Sequence, residues 1–200
     1  MTSSIPESSD YPPPGAYAAA TIGDAMERFG VARGVSPLWA GAMVSGPAAT
    51  VLTRPGDNRG VHAAFDVVRP GEILVVDGGA DETRALIGEL VAEKAKALGV
   101  AGIVLDGAAR DAVELREVGV PVFARAVTPA GPWKTGPYRL GGTVTLGGVP
   151  VSPGDWIVGD ADGVAVVPRE RIAEVTAAAD ALVRGEADRR AANRALVPRV

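Results

Sequence analysis

The sequence predicts an α/β protein with a parallel-sheet core, an antiparallel β part after it and a long C-terminal helix. Three observations carry this. Two units of apolar run, Asp-Gly exit and helical periodicity follow one another over residues 72–98 and 100–118, and a third apolar run occupies 120–124. That order builds a right-handed parallel sheet. From residue 142 to 167 short apolar runs alternate with Gly-rich turns, which suits antiparallel strands. After Pro168 the chain turns to Ala, Glu and Arg, the composition of an exposed helix with proline in its first turn.

Two hundred residues allow one domain with a sizeable core. The net charge is -4 and no Lys/Arg block occurs, which argues against a nucleic-acid or membrane surface and points to a small ligand. There is no cysteine, so disulfides, thiolate metal sites and a Cys nucleophile are excluded. Any metal must be held by oxygen or by His62, the single histidine. No apolar run reaches the ~18 residues of a membrane-spanning helix, and a cytoplasmic location is expected.

Residues 1–14 are polar and proline-rich, without the basic start and apolar stretch of a secretion signal, so 1–16 reads as a flexible arm. Over 17–30, Ile22, Ala25, Met26 and Phe29 share one helix face, with Thr21 and Asp24 near its start and Gly30 as its stop. Residues 42–52 read as a strand broken at Gly46-Pro47, because Pro47 lacks a ladder donor and suits an edge or bulge. A turn-rich loop at 54–60 leads into a helix over about 61–68, stopped by Pro70-Gly71. Next come a strand at 72–76, an exit at Asp77-Gly78-Gly79, and a helix at 85–98 with Leu86, Leu90, Val91, Ala95 and Leu98 on one side. The pattern repeats with a strand at 100–105, an exit at Asp106-Gly107 and a helix at 109–118. Residues 128–142 are a Pro/Gly-rich loop, and 142–151 a hairpin about Gly147-Gly148. Strands at 156–158 and 163–167 flank a tight turn. The final helix is weakened at Gly185 and, being long for so small a domain, is expected to pack on a neighbour.

Open α/β sheets place their chemistry outside the carboxyl ends of the strands. Here the two exits bring Arg110 and Asp111 toward Gly78-Gly79 and the amides that open the next helix, around Gly88. Those amides suit a carboxylate, and Arg110 can add a bidentate clamp. Asp111 and Glu89 are oxygen donors of the kind that Mg²⁺ or Mn²⁺ prefers. Together they would serve a 2-oxo acid whose carbonyl is polarised and whose enolate is stabilised, the chemistry of aldol cleavage or decarboxylation. No lysine follows a strand end, so a Schiff base is poorly supported. Other readings stay open: Arg110-Asp111 as a surface helix start, Glu89 and Glu93 as a solvated helix face, Glu114 as an ion-pair partner, His62 as a structural or surface residue, and Trp133 and Tyr138 as pocket lining or interface packing.

Taken in order, Gly88-Glu89-Leu90, the run from Gly99 to Gly107, Arg110-Asp111-x-x-Glu114 and the run from Gly119 to Arg125 closely resemble the RraA-like family, which includes 4-hydroxy-4-methyl-2-oxoglutarate aldolases. The likeness continues through Pro153-Gly154-Asp155-Trp156 to Val167-Pro168 and back to Ile22-Gly23-Asp24-Ala25, Gly46-Pro47-Ala48 and Pro55-Gly56-Asp57-Asn58, covering residues from about 18 to 187. The resemblance implies an α/β/β sandwich of the swivelling-domain type over residues 17–168. It also implies homotrimers or hexamers, with residues 169–200 packing on an adjacent subunit.

It further implies a class II aldolase/decarboxylase that cleaves 4-hydroxy-4-methyl-2-oxoglutarate or oxaloacetate through a metal-stabilised pyruvate enolate. By the same resemblance Asp111 would ligate Mg²⁺ or Mn²⁺ directly, and Arg110 would hold substrate and enolate. The amides of Gly88, Glu89, Leu90 and Val91 would hold the carboxylate, Glu89 would act on the metal through water, and so would Glu186 of the adjacent subunit. The family also contains ring-shaped regulators that bind and inhibit a ribonuclease, and this is the alternative function.

Overall fold

The computed structural model describes residues 13–196. Residues 1–12 of the expected arm and 197–200 at the end of the chain lie outside them. In chain order the elements are α1 (Ala19–Ala25), β1 (Val31–Ala32), β2 (Ser36–Pro37), β3 (Val44–Thr53), α2 (Arg59–Ala64), β4 (Ile73–Ile87), α3 (Glu89–Ala97), β5 (Gly102–Ala109), α4 (Ala112–Val118), β6 (Val122–Ala124), β7 (Ala126–Val127), β8 (Tyr138–Leu140), β9 (Val144–Leu146), β10 (Val149–Val151), β11 (Trp156–Asp160), β12 (Gly163–Val167) and α5 (Ile172–Ala195).

The central strands are apolar at consecutive positions because both of their faces are covered. Leu74, Val76, Ile103 and Leu105 point to one side, into a core shared with Val61 of α2, Ala92 and Ala95 of α3 and Leu115 of α4. Ile73, Val75, Val104 and Phe123 point to the other, onto Val144, Leu146 and Val151 of the β9–β10 hairpin and Ile157 of β11. A third core joins Ile22 of α1 and Met26 at its end, Val158 and Val167 of the antiparallel strands, and Val175 and Ala179 of α5. Each fully buried side chain of this size contributes about 2 kcal/mol, so a one-residue slip of a strand would move apolar groups to the wrong layer. The result is the expected α/β arrangement.

The main sheet runs β1-β12-β11-β3-β4-β5-β6-β2, with β7 added on β5 and β8 on β3. Strands β3, β4, β5 and β6 are parallel, and β11 and β12 extend the sheet antiparallel. The break expected at Gly46-Pro47 is a change of partner within one continuous strand. Pro47 is the last residue paired with β11, and Ala48 the first paired with β4.

Several boundaries differ from the expectation for one physical reason, close packing between non-local segments. The helix expected at 85–98 begins at Glu89, because Ala85, Leu86 and Ile87 continue β4 along β5 after shifts of register. Leu86 occupies the space that Gly78 and Gly107 leave open; a Cβ at either would lie 2.6 or 3.0 Å from its Cδ1. Gly78 therefore serves internal packing rather than approach to a ligand. Leu90, expected on the buried side of the helix, is 75% exposed. Asp106-Gly107 is not an exit either: β5 continues to Ala109, and buried Asp106 accepts hydrogen bonds from Arg125 Nε and from the Gly147 amide, the latter at 3.1 Å.

Helix α1 is shorter than the span 17–30, and its first amide donates to Asp160 Oδ2 at 2.8 Å rather than to Thr21 or Asp24. Helix α2 starts and stops earlier than expected, and the loop over 128–142 contains β8, which pairs with β3. Helix α5 passes through Gly185 without interruption.

Asp57 ties two loops together from a fully buried position. Its Oδ2 accepts the amides of Thr135 at 2.8 Å and Gly136 at 2.9 Å and Arg54 Nη2 at 3.2 Å, while Oδ1 accepts the Arg59 amide at 2.9 Å. Burial pushes its carboxyl pKa up, but the amides of Arg59, Thr135 and Gly136 and the charge of Arg54 outweigh this, holding it below its ordinary value. Asp57→Ala should cost about 3 kcal/mol in urea unfolding at neutral pH, since it leaves buried donors without an acceptor. The native carboxyl titrates below the unfolded one, so its contribution is complete above the unfolded value of 3.8 and is lost as pH falls through the native value. The stability gap between wild type and variant should accordingly shrink below pH 3.8; a gap of constant size would contradict this account.

Candidate functional site

β4 and β5 end side by side, with Ile87 opposite Ala109 and the Arg110 amide donating to the Ile87 carbonyl at 3.0 Å. This register sets Gly88 against the Arg110-Asp111 pair. Asp111 then adopts a left-handed backbone, φ 56° and ψ 46°, which Asp tolerates better than most side chains. Its carboxylate reaches across to the neighbouring strand exit, where Oδ2 accepts the Glu89 amide at 3.1 Å and lies 3.4 Å from Arg110 Nε. Helix α3 is thus capped by Asp111 from another segment, since its own N-cap, Gly88, has no side chain. A Cβ at Gly88 would overlap Asp111 Oδ2 and lie 2.9 Å from Arg110 Cγ. The Arg110 and Asp111 side chains are 43% and 36% exposed, so the site is open to a ligand.

Two first-turn amides of α3 are engaged, Glu89 with Asp111 and Val91 with the Gly88 carbonyl at 3.1 Å. No described group takes the Leu90 amide, which therefore carries the positive end of the helix dipole outward. The Glu89 side chain lines a groove of about 530 Å³ between α3 and α4, together with Glu93, Lys96, Glu114 and Glu117. Arg110 and Asp111 stand at the head of this groove rather than in its walls. Glu186 lies on α5, which packs against α1, and is ion-paired with Arg190 at 2.6 Å. Within one chain it belongs to a different layer from the strand exits.

Residues near the start of the 128–142 loop form the opposite wall. The Ala85 amide donates to the Ala130 carbonyl at 2.9 Å, and Gly131 sits against Arg110, whose Nη1 would be 3.5 Å from a Cβ at that position. Arg84 donates from Nη1 to the Gly131 carbonyl at 2.9 Å and lies 4.2 Å from the centroid of the Trp133 ring. The sequence reading missed Arg84 and the part played by Asp57. Arg84 lies in the polar stretch 81–84, which looks like a linker. The apolar triplet after it, Ala85-Leu86-Ile87, was the available sign that a strand resumes there.

Among the described residues no three His, Asp or Glu side chains cluster closely enough to cage a metal. A lone carboxylate such as Asp111 nonetheless fits a hard cation that keeps most of its water, the usual behaviour of Mg²⁺. His62 is exposed on α2, where partial burial and the charges of Lys134 and Lys94 hold its pKa below 6.5. Gly88→Ala should push the Asp111 carboxylate off the helix end. Amide exchange at Glu89 should then quicken by about tenfold relative to wild type, and an unchanged exchange rate would show that the site has room for the methyl group.

Comparison with known proteins gives this geometry its context. The family model RraA-like, described as Aldolase/RraA, matches residues 19–166. A candidate 4-hydroxy-4-methyl-2-oxoglutarate aldolase of Halalkalibacterium halodurans is 44% identical over 135 residues, 68% of this chain and 64% of that protein, so the match spans under two thirds of the relative's length. The crystal structure of Streptomyces coelicolor RraAS2, titled an unusual member of the RNase ES inhibitor RraA family, superimposes with a TM-score of 0.82 at 30% identity, covering 94% of this chain and 98% of that one. The RNA-processing inhibitor RraA of Thermus thermophilis has a TM-score of 0.68 at 30% identity over 75% of this chain and 92% of its own. With most of its length matched by the family model, the chain belongs to the RraA-like family.

Proposed function

We propose that the protein is a divalent-metal-dependent (class II) aldolase/decarboxylase that breaks a C–C bond of a 2-oxo acid such as 4-hydroxy-4-methyl-2-oxoglutarate or oxaloacetate. One observation carries the reading: Arg110, Asp111 and the first-turn amides of α3 meet at two adjoining strand exits. Relatives named as candidate aldolases of this type support the choice of reaction. Asp111 would ligate Mg²⁺ or Mn²⁺, with Glu89, and Glu186 of a neighbouring copy, acting through water. The bound cation would polarise the 2-oxo group and lower the cost of negative charge as the adjacent bond breaks.

The chain's own groups divide the remaining work. The α3 amides from Gly88 to Val91 would receive the substrate carboxylate, with the Leu90 donor open and the Glu89 donor released if Asp111 turns to the cation. Arg110 would face the developing enolate with its planar fork. Glu89 would orient the water that hands on a proton. We place Glu186 across an interface because no described residue of α5 beyond Ala179 is buried within this chain. Of the expected docking segment 169–200, the start of α5 is held in this chain's own core through Val175 and Ala179, so the part of α5 beyond Ala179 would dock on a neighbour in a homotrimer or hexamer, with 17–168 as the catalytic domain. No described helix is long and apolar enough to cross a membrane.

A second reading, a ring-shaped regulator that inhibits a ribonuclease or another protein, draws on the likeness to the RraA structures. Turnover separates the two. Purified protein with Mg²⁺ should release pyruvate from oxaloacetate, and EDTA should stop it. Asp111→Ala should abolish that release while size-exclusion chromatography shows the same assembly; undiminished turnover would remove Asp111 from the mechanism. Arg110→Lys should lose about 100-fold in kcat/KM, because a point charge does not reproduce the bidentate fork. Wild type that is inert toward every 2-oxo acid tried, yet binds a ribonuclease, would favour the regulator.

A further inference from the structure

We infer that Arg84 is a specificity-determining residue that selects 2-oxo acids carrying a second carboxylate. The inference rests on the site proposed above and deepens it. Arg84 lies within β4 and Arg110 just past the end of β5, yet both lie against Gly131, Arg84 on its carbonyl and Arg110 on its Cα face. Two contacts and the width of one residue separate Arg84 Nη1 from Arg110 Nη1, an upper bound of roughly 10 Å. That spacing lets one short dicarboxylate bridge them.

The way Arg84 is held makes it a reader of anions rather than a surface charge. Its flat face stacks on Trp133, and Nη1 is committed to the Gly131 carbonyl. It makes no ion pair with any described carboxylate. Nε and Nη2, the edge that grips a carboxylate with two parallel bonds, are therefore left to a ligand. Stacking and the carbonyl contact restrict the side chain beforehand, so less freedom is lost on binding than at an unsupported arginine. Asp57 holds Thr135 and Gly136, and the Trp133 amide donates to the Gly56 carbonyl at 2.8 Å, so the loop that positions Arg84 is itself anchored. With the 2-oxo acid end of the substrate at Arg110 and the α3 amides, the distal carboxylate falls to Arg84.

Calorimetric titration of the Mg²⁺-loaded protein with 2-oxoglutarate and with pyruvate tests this without any need for turnover. Wild type should bind both, and Arg84→Gln should weaken 2-oxoglutarate about tenfold more than it weakens pyruvate. Arg84→Lys should recover part of the loss, since charge is kept and the fork is not. Equal weakening of the two ligands would mean that Arg84 only props the loop, and no weakening of either would mean that it faces solvent. Both results overturn the inference while the proposed function stands. Wild type that binds neither ligand would instead overturn the proposed site and the Arg84 assignment with it. Thermal unfolding of each variant checks that it is folded, and the ratio of the two affinities reads out the role even where stability falls.

Discussion

Aspartate carboxylates that take backbone N–H groups from distant segments hold this protein at its joints. Asp111 receives the first amide of α3, Asp160 the first amide of α1, Asp155 that of Arg169, Asp77 that of Thr145, and Asp106 that of Gly147. Among the described residues, none of the five α-helices is capped by the side chain of its own N-cap residue. For α1 and α3 the capping that usually comes from the adjacent residue is supplied by the end of another strand, while the first amide of α2 goes to Asp57 two residues before it. Each such bond is charge-assisted and so stronger than a neutral one. It also makes helix position depend on sheet register, because the acceptor sits on a neighbouring strand.

The strand exits inherit their geometry from this arrangement. Were Ile87 not opposite Ala109, Asp111 could not reach the Glu89 amide and Arg110 would not stand beside Gly88. The left-handed backbone at Asp111 is a local cost, held in place by the bond its carboxylate makes across the gap. Glycine at 88 is required for the same reason, since any side chain there would take the volume that the carboxylate occupies. Structural cap and candidate metal ligand are one residue, so binding at the site and order at the start of α3 are coupled.

The wall opposite is built from a loop of low hydrophobicity, and buried Asp57 gives it definition. Five hydrogen bonds to a single carboxylate fix residues 54–59 against 135–136, and the Trp133 ring comes to rest on Arg84. In this way two cations, Arg84 and Arg110, both come against Gly131 without a shared element or motif to announce them.

Much of the architecture was legible in the sequence because it is written in periodicity. The runs at 73–76 and 102–105 are apolar at every position, which requires cover on both faces, and the Gly147-Gly148 and Asp160–Gly163 turns mark hairpins that the structure contains. The Arg110-Asp111 pair at a strand end was legible too, and its place near the start of α3 follows from sequential strands lying side by side. The end of β4 was not. Leu86 and Ile87 have helical spacing with Leu90 and Val91, and only Gly78, earlier in the same strand, and Gly107, on the next one, leave the space that keeps Leu86 in a strand. Local pattern determined the strands, the turns and the residue types at the site. Tertiary packing alone decided where β4 stops, which aspartate caps which helix and that Arg84 and Arg110 both come to lie against Gly131, because each depends on volume or a partner supplied by another segment of the chain.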